Sequence, residues 1–155
     1  MTVISLRSAT RADDEFCYQL HKAAMGGYVA AVWGWDEQVQ RQYHARAFKP
    51  RRWKIITVNG ADAGMLSVEY RPDEVYLARI EIRPSVQGQG IGTRIINALL
   101  AEARQRGQDL VLDVLLVNER ARALYERLGL TEVAPVGDGG VKMRMRSASR
   151  DAVAG

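Results

Sequence analysis

Residues 87–92 read Gln87-Gly88-Gln89-Gly90-Ile91-Gly92, between an apolar strand-like run, Val75 to Ile82, and a helix-like run, Thr93 to Arg106. This order constrains the fold more than any other feature. A strand that turns through glycines into a helix, with another strand after it (Leu110 to Val117), predicts a right-handed parallel crossover. Glycines let the backbone turn tightly and come close to a ligand, and the free amides of the first helical turn point at it. Ligands in such sheets bind beyond the carboxyl ends of the strands, where this turn lies. The turn therefore reads as an anion cradle. The plainer alternative is a turn that needs glycine for its shape alone.

The remaining elements follow from periodicity and punctuation. Val3 to Arg7 alternates weakly and predicts a first strand. Thr10-Arg11-Ala12-Asp13 has the form of a capping box and opens a helix with Phe16, Cys17, Leu20 and Ala24 on one face. Gly26-Gly27 is expected to end it. Asp36 can cap a second helix bearing Val39, Tyr43 and Ala47, closed by Pro50. Trp53 to Val58, Asn59-Gly60, and Ala63 to Tyr70 read as a hairpin. A turn at Arg71-Pro72-Asp73-Glu74 then leads into Val75 to Ile82, so 53–82 is an antiparallel meander. Leu110 to Val117 is apolar on both faces apart from Asp113, which suits a central strand. Asn118 caps a short helix with Ala121, Leu124, Tyr125 and Leu128 on one stripe, ended by Gly129. Leu130 to Pro135 and Val141 to Met145 are the last strands, joined by a flexible Gly137-Asp138-Gly139-Gly140. The predicted order is β-α-α-β-β-β-α-β-α-β-β.

At 155 residues the chain suits one domain, expected over 3–146, with a frayed tail over 147–155. Its 47% apolar and 26% charged composition is ordinary for a globular protein. No run approaches a membrane span. The opening residues show no apolar signal segment, and the single Cys17 fits a reducing compartment, so a cytoplasmic location is expected. Cys17 sits among apolar helical positions and reads as a packed thiol. The net charge of +4 favours anionic ligands in general. The basic residues are scattered, with no aromatic-interleaved stripe, so nucleic acid is not an expected partner. Lys49-Pro50-Arg51-Arg52 reads as a solvated loop. His21 and His44 lie in the first two helices, and two isolated His with one Cys give neither metal-ligand spacing nor a nucleophile–base constellation, so no metal is expected.

Two phosphate motifs fit poorly. A Walker A loop needs Lys before its Ser/Thr, and Gly92-Thr93 lacks it. A dinucleotide fingerprint needs a third glycine one place later and an acidic residue at the end of the next strand, where Val117-Asn118 stands. A third pattern fits. Gln87-x-x-Gly90-x-Gly92, after the strand ending at Ile82, resembles the main signature of the GNAT superfamily of acyl-CoA-dependent N-acyltransferases, Arg/Gln-x-x-Gly-x-Gly/Ala. A second family pattern appears as Asn118, Ala121, Leu124, Tyr125, Glu126, Leu128 and Gly129, with Leu130 in place of Phe. The two stand at the family's usual separation, and the element order fits over roughly 3–146.

The resemblance implies an α+β fold with a mixed, mostly antiparallel central sheet and helices on both faces. It implies that acetyl-CoA is the cosubstrate. The turn at Gln87, Gly88, Gln89, Gly90, Ile91, Gly92 and Thr93 would hold the pyrophosphate by main-chain amides. The main chain of Ile80, Glu81 and Ile82 would pair with the pantetheine arm. Asn118 would contact that arm, or serve as a plain helix cap, and the two roles are compatible. Ala121 would lie along the cofactor. Tyr125 would protonate the leaving thiolate, unless its ring merely packs in the core.

The implied reaction is direct attack of a neutral amine on the thioester. An alkylammonium near pKa 10.4 must first lose a proton. Glu81, Glu69 and Glu74 are the candidate bases, and amines of lowered pKa need none. Glu81 points away from Ile80 and Ile82, on the face shared with Leu77 and Arg79, and could form a surface ion pair with Arg79. Asp113 stays unassigned and could bond a neighbouring backbone group. In such folds the connection between the first two helices and the last hairpin build the acceptor pocket. Tyr28, Trp33 and Trp35 would then wall it for an amine; the alternative is that both tryptophans pack between the second helix and the sheet or at a dimer contact. The expected activity is acetyl transfer to a primary amine of a small molecule or peptide. The alternative is a catalytically silent acyl-CoA-binding sensor or scaffold. Homodimers are common in the family that it resembles.

Overall fold

The computed structural model describes residues 1–148. Its elements run β1 (Ile4–Ser8), α1 (Asp14–Trp33), α2 (Glu37–Ala47), β2 (Trp53–Val58), β3 (Ala61–Tyr70), β4 (Glu74–Ile82), α3 (Ile91–Gln105), β5 (Asp109–Leu115), α4 (Glu119–Arg127), β6 (Leu130–Val136) and β7 (Lys142–Ser147). This is the order that the periodicity predicts. The strands form one mixed sheet in the order β1-β2-β3-β4-β5-β7-β6. β4 and β5 pair in parallel, Glu74 to Leu77 against Asp109 to Leu112, as a crossover through α3 requires. The chain divides into two compact units, Met1–Ser67 with Arg79–Ile91, and Val68–Ala78 with the described residues from Gly92 onward.

In the first unit the Thr10–Asp13 capping box forms, ahead of a short 3-10 turn that leads into α1. Ala9, Cys17, Leu20, Phe48, Trp53, Ile55 and Met65 make a buried cluster. Leu20, Phe48, Ile55 and Met65 each contribute about 1.5–3 kcal/mol of transfer free energy. Asn59 and Gly60 take left-handed φ of 52° and 85°, which closes the β2–β3 hairpin in the way the Asn-Gly pair predicts.

Two expectations for this unit are corrected. α1 does not stop at Gly26-Gly27 but runs to Trp33, and Gly34 (φ 78°) ends it, its N–H bonded to the Ala30 carbonyl at 3.0 Å. Neither Gly26 nor Gly27 has a positive φ, and Val29 beyond them is buried, so packing holds the helix through a weak point. Tyr28 and Trp33 therefore stand on a helix and not on a connection. α2 is capped by Asp36 as expected, but its buried residue is His44, while Val39 and Tyr43 are exposed. His44 is held by stacking on Phe48 at 5.4 Å, by Tyr18 and Trp53 edges, and by Asp14 at 2.8 Å.

In the second unit α3 carries a buried stripe at Ile95, Ile96, Leu99 and Ala103, and β5 buries Leu110, Val111, Leu112, Val114 and Leu115. β5 ends at Leu115, two residues short of Val117, where the chain turns toward α4. Asp113 does not bond backbone: Tyr76 donates its hydroxyl at 2.8 Å and Arg144 reaches both carboxylate oxygens at 2.9 and 3.1 Å. Ser147, expected in the frayed tail, is the last residue of β7 and accepts the Leu110 N–H at 2.8 Å. The remainder of that tail, from 149, lies outside the described residues.

Candidate active site

α1 carries His21 to β4. His21 Nδ1 lies 2.5 Å from Glu81 Oε1. The Glu81 side chain is 6% exposed and that of His21 19%. Glu81 Oε2 is buried with no hydrogen-bond partner. The Arg79 guanidinium stands 3.9 Å from Glu81 Oε1 and lies over the Trp53 ring at 4.8 Å. The expected surface ion pair between Arg79 and Glu81 is thus corrected. Glu81 faces inward with Val75 and Leu77, and its close partner is an imidazole. Gly64 of β3 packs against this stretch of β4, where a Cβ would meet the Glu81 carbonyl oxygen at 2.5 Å.

Trp35 completes the cluster. Its ring centre is 6.4 Å from that of His21, and it covers Gly26, where a Cβ would sit 3.8 Å from the indole. The indole N–H donates to Glu37 at 2.8 Å, and Lys22 Nζ, itself bonded to Glu37, stands 5.9 Å from the ring centre. Trp33, by contrast, is exposed at the end of α1, and Tyr28 is half-buried. Trp33 is therefore not packed between α2 and the sheet.

The other carboxylates are placed differently. Glu69 is exposed and bonded to Arg71 at 3.1 Å. Glu74 is shared by Arg71 at 3.0 Å and Arg146 at 3.2 Å. Cys17 is buried, and burial together with Asp13 and Glu81 pushes its thiol up to about 12, so it is a packed, un-ionised group near neutrality.

The glycine turn follows a 3-10 turn at Pro84–Val86. Gly88 and Gly90 have φ of 79° and 80°, which only glycine adopts without strain, and a Cβ on Gly90 would meet no atom within 4 Å. Gln87 folds back, its side-chain amide donating to the Ile82 carbonyl at 2.8 Å. α3 starts at Ile91, so the amides of Ile91, Gly92 and Thr93 belong to a first turn with no intrahelical acceptor. Ile80, Glu81 and Ile82 lie past the four β4 residues that pair with β5.

On α4 the Asn118 side chain caps the helix by accepting the Ala121 N–H at 3.2 Å. Tyr125 lies one turn beyond Ala121 and is 8% exposed; burial raises its hydroxyl to about 12.

The model of the Acetyltransferase (GNAT) family matches residues 14–130. That stretch includes the glycine turn and the Asn118 to Gly129 segment. The chain belongs to the GNAT acetyltransferase family. Among its curated GNAT relatives is the ribosomal protein bS18-alanine N-acetyltransferase of Escherichia coli (strain K12), 37% identical over 78 residues. The match covers 50% of this chain and 53% of that protein, so the chain spans about half the length of the curated relative. The crystal structure of the ribosomal-protein-S18-alanine N-acetyltransferase from Escherichia coli superposes with a TM-score of 0.63 at 27% identity, covering 95% of this chain and 93% of that one. The fold also matches the paia N-acetyltransferase from Thermoplasma acidophilum, solved in complex with coenzyme A, with a TM-score of 0.74 at 12% identity over 94% of this chain and 98% of that one.

No histidine role was legible in the sequence, although a signal existed. His21 is one helical turn past Cys17, on the apolar face of α1, and Glu81 interrupts an inward-facing strand position. A charge in such a place needs a partner.

Proposed function

We propose that this chain is an acetyl-CoA-dependent N-acetyltransferase acting on a primary amine of a small molecule or peptide, with residues 3–146 as its catalytic domain. The observation that carries the reading is the match of the GNAT family model over 14–130, which includes a glycine turn of positive φ opening a helix. The residues fit the cosubstrate. Open space at Gly90 and first-turn amides that have no intrahelical acceptor suit a pyrophosphate, and the positive end of α3 favours it by about 0.3–1 kcal/mol per well-placed charge. Gln87, Gly88, Gln89, Gly90, Ile91, Gly92 and Thr93 would cradle it. The main chain of Ile80 to Ile82 would hold the pantetheine arm, with Asn118 and Ala121 as further contacts. Acetyl-CoA supplies the activated acyl group.

Proton removal from the acceptor is assigned to the Glu81 cluster. Glu81 is buried beside an imidazole, whereas Glu69 is solvated and neutralised by Arg71, which makes it the weaker candidate. Tyr125, held protonated by burial, is assigned the return of a proton to the leaving thiolate. Trp35, beside His21, is the best-supported acceptor wall; Tyr28 and Trp33 would extend it along α1. The curated relatives act on a ribosomal-protein alanine and, in Bos taurus, on thialysine, so both peptide and small-molecule amines are apt probes.

The test is release of free coenzyme A from acetyl-CoA with tryptamine, spermidine and an N-terminal alanyl peptide, alongside calorimetric acetyl-CoA binding. Turnover with at least one amine is expected. Gly90→Glu, which puts bulk and negative charge in the cradle and strains its φ of 80°, should abolish binding with little change in far-UV circular dichroism. Unchanged affinity would remove the cofactor assignment. Binding without turnover on any amine would favour a silent acyl-CoA sensor.

A further inference from the structure

We propose that His21, through its Nε2 atom, is the general base of the transfer, and that Glu81 is the positioning residue that holds it. The inference rests on the acetyl-transfer reading and deepens it. Three observations converge on α1 and β4. First, the pair is unequal in access. Glu81 is enclosed, at 6% exposure, and His21 is the member that reaches solvent, at 19%. A base must come within hydrogen-bond reach of the proton that it takes. Second, the 2.5 Å contact is made through Nδ1. Facing an ionised carboxylate, which only accepts, Nδ1 is the donor, so the neutral ring keeps its lone pair on Nε2. Third, Glu81 Oε2 has no partner in its buried site. A carboxylate left so poorly compensated gains most when a positive charge forms beside it, and protonation of His21 puts that charge there.

The surrounding charges are consistent with this assignment. Arg79 of β4, 3.9 Å from Glu81 Oε1, opposes the imidazolium but is drawn over Trp53. Lys22 of α1 is bonded to Glu37 of α2, and Asp14 of α1 to His44 of α2. Cys17, the titratable neighbour on α1, remains a thiol. The step balances. As the acceptor nitrogen bonds to the acetyl carbon, its N–H proton moves to His21 Nε2. The C–S bond breaks with its electron pair on sulfur, which takes up one proton, assigned to Tyr125, and leaves as the thiol of coenzyme A. His21 then gives its proton to solvent and Tyr125 takes one back from it, so both residues return to their starting state with no net proton consumed.

The experiment uses the full chain with whichever of tryptamine, spermidine or the alanyl peptide turns over fastest. For His21→Ala, kcat/KM should fall by roughly 100-fold or more, the acidic limb of its pH profile should flatten, and added imidazole should restore part of the rate. A residue that only packs would give neither the altered limb nor the rescue. Nitrogen-15 spectra of the wild type should show the neutral His21 as the Nδ1–H tautomer, and Glu81→Ala should redistribute it. If His21→Ala misfolds by circular dichroism, His21→Gln takes its place. A variant within about threefold of wild type with its acidic limb intact overturns the role of His21 and leaves the transfer reading standing. An Nε2–H tautomer in the wild type also overturns it. A wild-type chain that releases no coenzyme A with any of the three amines overturns the transfer reading itself.

Discussion

In the proposed mechanism Tyr125 gives a proton and His21 takes one, and burial acts on Tyr125 in a readable way. Its hydroxyl is raised to about 12 by desolvation alone, so it keeps its proton throughout the neutral range. A group that acts as an acid is lost as pH rises through its pKa, so Tyr125 imposes no alkaline limb below about 12. Tyr125→Phe should therefore lower kcat by roughly 10–100-fold without moving the limbs of the pH–rate profile and with little change in the KM for acetyl-CoA, an effect made in the transition state. Steady-state kinetics between pH 6 and 10 check this. Equal turnover would return Tyr125 to a packing role. Residues of this kind differ in how far sequence exposes them. Asn118 and Tyr125 are local, seven positions apart on a capped helix, and their pattern is readable. His21 and Glu81 are sixty positions apart, and nothing in either neighbourhood names the other.

Among the elements, α1 departs furthest from expectation, because local propensity argued for a stop that packing overrides. Gly27 sits inside the helix with open space where a Cβ would stand. Gly27→Ala should thus stabilise by about 0.8–1 kcal/mol, the cost of glycine relative to alanine in a helix interior. Gly64 is the opposite case, since a Cβ there would meet the Glu81 carbonyl oxygen at 2.5 Å. Gly64→Ala forces the two strands to shift and should cost about 1–3 kcal/mol. Thermal unfolding of both variants separates them, at about 2–4 °C per kcal/mol for a chain of this size. Opposite signs are expected; a Gly27→Ala variant that loses stability would mean that the helix is not continuous in solution. The strands and α3 were legible because alternation, Asn59-Gly60 and the α3 stripe all agree with the tertiary structure. The buried face of α2 was not, because His44 is a core residue only in the company of Phe48, Trp53 and Asp14.

For the whole molecule, the response to acid includes a depressed aspartate in each compact unit, beside the exposed Glu15 and Glu37 of the first. In the first, hydrogen bonds from Arg7 hold Asp13 below its ordinary value, against the pull of burial. In the second, burial pushes Asp113 up, but hydrogen bonds from Arg144 and Tyr76 outweigh it and leave its pKa lowered. A carboxyl whose folded pKa lies below its unfolded value stabilises the fold above the unfolded value. It gives that stability up as pH falls through the folded one. The ordinary aspartate value is 3.8, so the contribution of both residues is complete near neutrality and is lost in the range below 3.8. Asp113→Asn removes the charge that Arg144 and Tyr76 are arranged around, and should cost about 1–3 kcal/mol at pH 7 by the usual worth of charged hydrogen bonds. The variant has nothing further to lose at that position on acidification. Its melting temperature should therefore start several degrees below wild type at pH 7, and the gap should narrow as pH falls below 3.8. Melting curves followed by circular dichroism at half-unit steps measure the gap directly. A constant difference across the whole range would mean that Asp113 acts through packing alone, and that the second unit has no ionised carboxylate at its centre.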